Sequence, residues 1–290
     1  MKINCLIVYL VIILLVIVVG KGNGKTISNE SISMSLLDSY DAPLVARIDA
    51  TKLNNVIEGF INKRLEDTSI NLKRNIINEI FTGKYPLDCE DVGIVKSGIY
   101  RIYPTYIRGF DVFCEMDIEN GGWTVIQRRI DGSVDFFRNW MEYKNGFGNL
   151  NSEFWLGNNK LHEMTSKDEY ELYIILEDFD NETRYARYGT FRVGDIASGF
   201  TLTVSDYSGN AGDAMIVHNS MTFSTKDKDR NDCVKQYKGG WWYNECHTAN
   251  LNGLYLNGVH TSYADGIEWY PWKGLHYSLK RVLMLIRRRR

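Results

Sequence analysis

The sequence predicts an α+β protein, with one disulfide-stapled domain of small antiparallel sheets and long loops over residues 86–290 and a helical segment in front of it. Three observations predict it. Past Tyr85-Pro86 the chain is rich in aromatic residues and glycine, and its short apolar or alternating runs are bounded by turn residues, the pattern of strands joined by loops. Between Leu44 and Phe81 apolar residues recur at three- and four-residue steps among charged ones, the period of a helix. Four cysteines lie beyond the amino-terminal region in two close pairs, Cys89 with Cys114 and Cys233 with Cys246.

The amino terminus reads Met1-Lys2-Ile3-Asn4, then an apolar run from Cys5 to Val19, then Gly20-Lys21-Gly22-Asn23-Gly24. A short basic start, an apolar stretch and a small-residue exit describe a secretory signal peptide over residues 1–24. Its rival is an uncleaved signal anchor, because the run is close to the lower limit for spanning a bilayer. Cleavage is the expected reading, and it places the protein outside the cell with no stable membrane span. It removes Lys2 and Lys21 and leaves 32 basic against 36 acidic groups, a net charge of -4. That balance supplies no field for polyphosphate, so nucleic acid is not an expected partner.

Residues 25–85 are expected to hold a flexible lead-in, rich in Ser, Asn and Thr up to residue 40, and then an amphipathic helix. Ile48, Val56, Ile57, Phe60, Ile61, Leu65, Ile76, Ile77 and Ile80 form its stripe, with a break expected near Asp67-Thr68-Ser69. Nothing local in sequence covers the stripe, so residues 44–81 are the expected seat of homo-oligomerisation. In the domain, strands are expected at Gly98–Tyr103, Asp111–Met116, Trp123–Arg128, Glu171–Phe179 and Ser278–Ile286, with a short helix at Asn158–Met164. Strands with few helices and long loops favour one mixed domain over a βαβ repeat.

Cys5 lies in the signal, and an even count of four in an exported chain points to two disulfides. Proximity favours Cys89–Cys114 and Cys233–Cys246, although three pairings are open. Two glycosylation sequons fit the same compartment, Asn29-Glu30-Ser31 and Asn181-Glu182-Thr183. Catalytic readings do not survive. Gly22 to Thr26 ends like a phosphate-binding loop, but Val19 stands where that loop needs glycine. Cys246 beside His247 is expected to be oxidised, not a nucleophile, and no C-x-x-C spacing suits zinc. The chain is not expected to be an enzyme.

What remains is an ordered series of motifs. It opens with Gly121-Gly122-Trp123-Thr124-Val125-Ile126-Gln127-Arg128-Arg129 and Asp131-Gly132-Ser133-Val134-Asp135-Phe136, and continues with Gly146-Phe147-Gly148 and Glu153-Phe154-Trp155-Leu156-Gly157-Asn158. It closes with Phe223-Ser224-Thr225-Lys226-Asp227, Trp241-Trp242-Tyr243, Cys246-His247 and Asn250-Leu251-Asn252-Gly253. The chain here resembles the fibrinogen C-terminal domain family, most closely its lectin branch of ficolins and tachylectins, over about residues 87–287. The resemblance implies a single domain with a loop-rich binding face, and the disulfide pairing given above.

It also implies an acetyl pocket. Tyr237, four residues after the third domain cysteine, His247 after the fourth, and Tyr263-Ala264 seventeen residues past it stand at the lectin positions. Tyr237, Tyr263 and Ala264 would cup the methyl, while backbone N–H groups of Cys246 and His247, aimed by a cis peptide after Glu245, would hold the carbonyl oxygen. The lectin calcium loop is shorter here, since Asp227-Lys228-Asp229-Arg230-Asn231-Asp232 runs straight into Cys233. Calcium takes six to eight oxygens, so weak binding is expected, with Asp229 and Asn231 as side-chain ligands. Arg287 to Arg290 is expected to be an exposed, disordered tail. Together these imply a secreted lectin for N-acetylated glycans, suited to innate immunity. The alternative is an angiopoietin-like receptor ligand with a protein-binding face.

Overall fold

The computed structural model describes residues 32–36, 44–48, 50–81, 85–93, 96–105 and 108–289, and, ahead of residue 85, the side chains of residues 54–75. The expected signal peptide and Asn29 lie outside these residues. The chain divides into two compact units, Met1–Ile77 and Asn78–Arg290.

In the first unit β1 (Ile32–Leu36) pairs antiparallel with β2 (Leu44–Ile48), Ile32 opposite Ile48 and Leu36 opposite Leu44. Two expectations are corrected by this. The lead-in contains a strand, and Leu44 to Ile48 is extended, not helical. The helix α1 then runs from Ala50 to Phe81 without the expected break. Thr68 explains its continuity, because the hydroxyl donates to the carbonyl of Arg64 at 2.7 Å, one turn back. A hydroxyl bonded this way is satisfied within the helix, at the cost of a slight destabilisation. Val56, Phe60, Leu65 and Leu72 on this helix are exposed. No described helix is long and apolar enough to cross a membrane.

The second unit is built on β3 (Gly98–Ile102), β4 (Phe110–Glu115), β5 (Trp123–Arg129), β6 (Phe147–Gly148), β7 (Phe154–Trp155), β8 (Tyr170–Glu177), β9 (Thr183–Val193), β10 (Leu202–Gly209) and, after several short elements, Arg281–Arg288. These strands form one antiparallel sheet of nine, larger than the small sheets expected. Its order places Arg281–Arg288 between β8 and β5, so the last strand of the chain lies at the centre. Central placement suits Val282, Met284, Leu285 and Ile286, all buried, and a register shift after Met284 lets two consecutive residues face the core. The hairpin of β9 and β10 was not read from sequence. Its alternation is carried by Ala186, Tyr188, Phe191 and Val193, which are buried between arginines and a glycine.

Helices α2 (Trp140–Asn145) and α3 (Asn158–Thr165) flank an aromatic core of Trp123, Trp155, Trp241, Trp242 and Trp269. Tyr143 stands at its centre, donating to the Phe136 carbonyl at 2.5 Å and accepting from the Gly240 amide at 3.0 Å. Gly240 has no room for a side chain, since a Cβ there would meet the Tyr143 ring at 2.3 Å.

The carboxyl-terminal arginines correct another expectation. Arg287 and Arg288 belong to the final strand and are engaged on both faces. Arg287 pairs with Glu171 at 2.9 Å and lies over the Trp123 ring, 4.2 Å from its centre. Arg288 pairs with Asp91 at 2.5 Å and stands 3.4 Å from Asp88. Arg289 donates to the Gly189 carbonyl at 3.0 Å. The domain carries two disulfides, Cys89–Cys114 and Cys233–Cys246, the pairing expected.

Candidate functional site

The second disulfide organises the site. Its first cysteine begins α4 (Cys233–Tyr237), and the helix ends at Lys238 in the left-handed conformation, φ 58°. The chain then crosses the core as Trp241-Trp242-Tyr243 and returns to the surface at Cys246. The bond between Glu245 and Cys246 is a cis peptide without proline. Short strand pairs hold the loops beyond it: β11 (Ala249–Asn250) with β13 (Glu268–Trp269), and β12 (Gly258–Val259) with β14 (Tyr277–Ser278).

Tyr237, Cys246, His247 and Ala264, which the sequence singled out, come together here. The rings of Tyr237 and His247 meet edge to face at 4.6 Å. The Nε2–H of His247 donates to the Ala264 carbonyl at 2.9 Å, and this fixes Nδ1 as a lone-pair acceptor. That nitrogen is buried and has no partner among the described residues. Burial pushes the imidazole pKa down to about 4 against the opposing effect of the Ala264 bond, so the ring is neutral near pH 7. Ala264 sits at φ 60° and is itself buried, and its amide donates to the Leu275 carbonyl at 3.0 Å. Tyr263 forms the rim, 56% exposed, its ring 5.6 Å from that of His276. Burial, and then the nearby Tyr263 and Glu268, hold the Tyr237 hydroxyl above its usual pKa, so it remains a donor.

The backbone N–H groups of Cys246 and His247 donate to no described residue. They are consecutive donors beside an aromatic wall and a small apolar residue. A neutral carbonyl oxygen with an attached methyl satisfies both features, because unpaired donors at a partly buried surface gain from an acceptor while the methyl gains from apolar contact. Among the described residues no three His, Cys, Asp or Glu side chains cluster to hold a metal ion.

Three positioning residues were missed in the sequence. Asn250 is fully buried and ties three segments, donating to the carbonyls of Tyr237 at 2.9 Å and Gly266 at 3.1 Å and accepting from the Tyr243 hydroxyl at 2.7 Å. His218, also buried, donates Nδ1–H to the Trp242 carbonyl at 2.7 Å and accepts the Ala249 amide on Nε2 at 3.3 Å. Burial lowers its pKa to about 3. Glu268 is fully buried 3.3 Å from His260, and burial raises its pKa to about 8. The partners named lie 7 to 31 residues away in the chain, so no local pattern marks these residues.

The shortened loop holds the two expected calcium ligands, Asp229 and Asn231. One carboxylate oxygen of Asp229 accepts the Lys235 amide at 3.0 Å, and the other is buried without a hydrogen-bond partner. The Asn231 amide donates to the Asn244 carbonyl at 3.3 Å. Asp227 is taken up by the Trp140 amide at 2.7 Å and the Thr225 hydroxyl at 2.8 Å. One orphan oxygen is a feature a cation would satisfy. Calcium takes six to eight oxygens, so these side chains by themselves would hold it weakly. Asp229 and Asn231 line a cleft of about 250 Å³ with Ser224, Tyr243 and Asn244.

Comparison with known proteins agrees with this architecture. Fibrinogen C domain-containing protein 1 of Macaca fascicularis is 54% identical over 205 residues, covering 67% of this chain and 48% of that protein. The chain thus spans about half the length of the curated relatives it matches. The fibrinogen-like globe domain of human ANGPTL2 superposes with a TM-score of 0.68 at 41% identity, covering 70% of this chain and 99% of that one. The corresponding domain of human ANGPTL6 gives 0.68 at 39% identity, covering 71% and 96%. Residues 85–289 match the model of the C-terminal globular domain of fibrinogen beta and gamma chains, and the chain belongs to that family.

Proposed function

We propose that this protein is a secreted recognition protein whose fibrinogen-type domain binds acetyl groups, chiefly those of N-acetylated glycans, and that it carries out no reaction. The observation that carries this reading is the pair of consecutive N–H donors at Cys246 and His247, without described partners, against the wall of Tyr237, His247 and Ala264. The acetyl carbonyl takes the two donors and its methyl lies in the cup, with Tyr263 closing the rim. Retention on acetylated but not deacetylated matrices, released by free N-acetylglucosamine and unchanged by chelator, is the expected result. Indifference to acetylation would overturn it.

A second reading is an angiopoietin-like receptor ligand, favoured by the likeness to the globe domains of ANGPTL2 and ANGPTL6. Under that reading the face around Tyr263 meets protein and acetylation is irrelevant, so the same screen separates the two.

A site holding one methyl and two or three hydrogen bonds is weak, near the millimolar range, or roughly -4 kcal/mol. Useful capture therefore needs several sites on one particle, which raises avidity about 10² to 10⁴-fold. The exposed Val56, Phe60, Leu65 and Leu72 of α1 suit self-association, so residues 44–81 are the proposed oligomerisation segment. Light scattering should find an oligomer for the full chain, and a monomer at micromolar concentration would remove this part of the mechanism.

A further inference from the structure

The turn between β8 and β9 presents a second kind of site. Asp178 ties it down from inside: the buried carboxylate accepts the amides of Asp180 at 2.9 Å and Glu182 at 2.8 Å and pairs with Lys273 at 2.6 Å. Two backbone bonds close the turn, Asp178 to the Glu182 carbonyl at 3.1 Å and Asn181 to the Asp178 carbonyl at 3.2 Å. Asn181 is thereby held at its tip in the left-handed conformation, φ 61°, with Asp180, Glu182 and Thr183 exposed around it. Lys280 donates to the side-chain Oδ1 of Asn181 at 2.5 Å, while the Nδ2 of Asn181 has no hydrogen-bond partner among the described residues.

Two residues before Asn181 stands Phe179, 38% exposed, and two residues after it stands Thr183. Phe179 meets the Tyr255 ring edge to face at 6.3 Å, and its amide donates to the Tyr277 hydroxyl at 3.0 Å. It borders Gly258, next to Val259, which is 81% exposed. An apolar patch of this kind on a rigid turn gains from a cover.

We propose that Asn181 carries an N-linked glycan whose first sugar packs its apolar ring face on Phe179. The transfer is balanced by a lipid-pyrophosphate-linked oligosaccharide. Asn181 Nδ2 bonds to the sugar C1, the C1–O bond to pyrophosphate breaks, the lipid pyrophosphate leaves with the electron pair, and the amide loses one proton to solvent. The sequon supplies Thr183 as the required hydroxyl, and the exposed turn supplies access.

The full chain should be expressed through the secretory pathway of an animal cell and treated with an amidase that releases N-glycans. Peptide mass spectrometry is expected to find Asn181 converted to Asp, and Asn181→Gln should remove one step of gel mobility. An unmodified Asn181 in the product overturns the proposal. Enzymatic deglycosylation should also lower the melting temperature by about 2–4 °C, and Phe179→Ala should abolish that difference. An equal drop in Phe179→Ala overturns the packing of sugar on ring. These readouts are independent of acetyl binding.

Discussion

The two disulfides sit in opposite surroundings. Around Cys89–Cys114 the charged groups are matched, although the Trp123 Nε1 has no hydrogen-bond partner among the described residues: buried Asp88 accepts the Tyr170 hydroxyl at 2.7 Å and faces Arg288, while Arg287 is held by Glu171 and two carbonyls. Around Cys233–Cys246 polar groups are left over: two backbone donors, the Nδ1 of His247 and one oxygen of Asp229. A buried polar group without a partner costs about 1–3 kcal/mol, so a region that keeps several does so against stability. The first disulfide fastens the domain together. The second, on the proposed reading, keeps donors ready for a ligand.

The sharpest way to break this comparison is to remove each disulfide separately. Cys89→Ser with Cys114→Ser opens a loop of separation 25 and should cost roughly 3–4 kcal/mol of stability, while the folded fraction keeps its acetyl affinity. Cys233→Ser with Cys246→Ser opens a separation of 13, costs about 3 kcal/mol and should abolish acetyl retention. Denaturant melts and binding isotherms on both variants would show it, and equal loss of affinity in the two would end the distinction.

A pH titration sharpens it further. His218 and His247 have depressed pKa values when folded, so the stability they contribute is present above the unfolded value near 6.5 and is lost as pH falls towards about 4 and about 3. Glu268 acts in the opposite sense. Its pKa is raised to about 8, so its contribution is full below about 4.5 and is lost as pH rises through 8. Glu268→Gln removes that offset, and the variant should lose about 2–3 kcal/mol more than the parent between pH 7 and pH 5. Parallel stability curves would show that Glu268 is ionised in the fold.

Smaller effects test the clamp and the cup. Tyr170→Phe leaves buried Asp88 short of one donor and should cost about 1–3 kcal/mol with acetyl affinity unchanged. Acetyl binding itself should vary less than about twofold between pH 8 and pH 5, because His247 remains neutral until pH approaches about 4. A midpoint near pH 6.5 would place the ring in water and not in the cup.

Much of this was legible in the sequence because the signals are local. Alternating residues mark β8, and the motif from Trp241 to His247 marks the site. The errors are as informative. Asp67-Thr68-Ser69 reads as a break, yet Thr68 bonds back to Arg64 and the helix continues. Four terminal arginines read as a tail, yet acids from residues 88, 91 and 171 draw two of them into the central strand.

The sequence by itself determined the domain and the types of residue in the proposed cup, and it favoured the cysteine pairing, since each depends on near neighbours or on an ordered run of motifs. Only the tertiary structure decided which donors are left unpaired. Whether the amides of Cys246 and His247 find a carbonyl, and whether Asn250, His218 and Glu268 reach the loops they hold, depends on segments 8 to 31 residues away in the chain. Hydrogen-bond satisfaction is a property of the whole packed arrangement, and no window of sequence contains it.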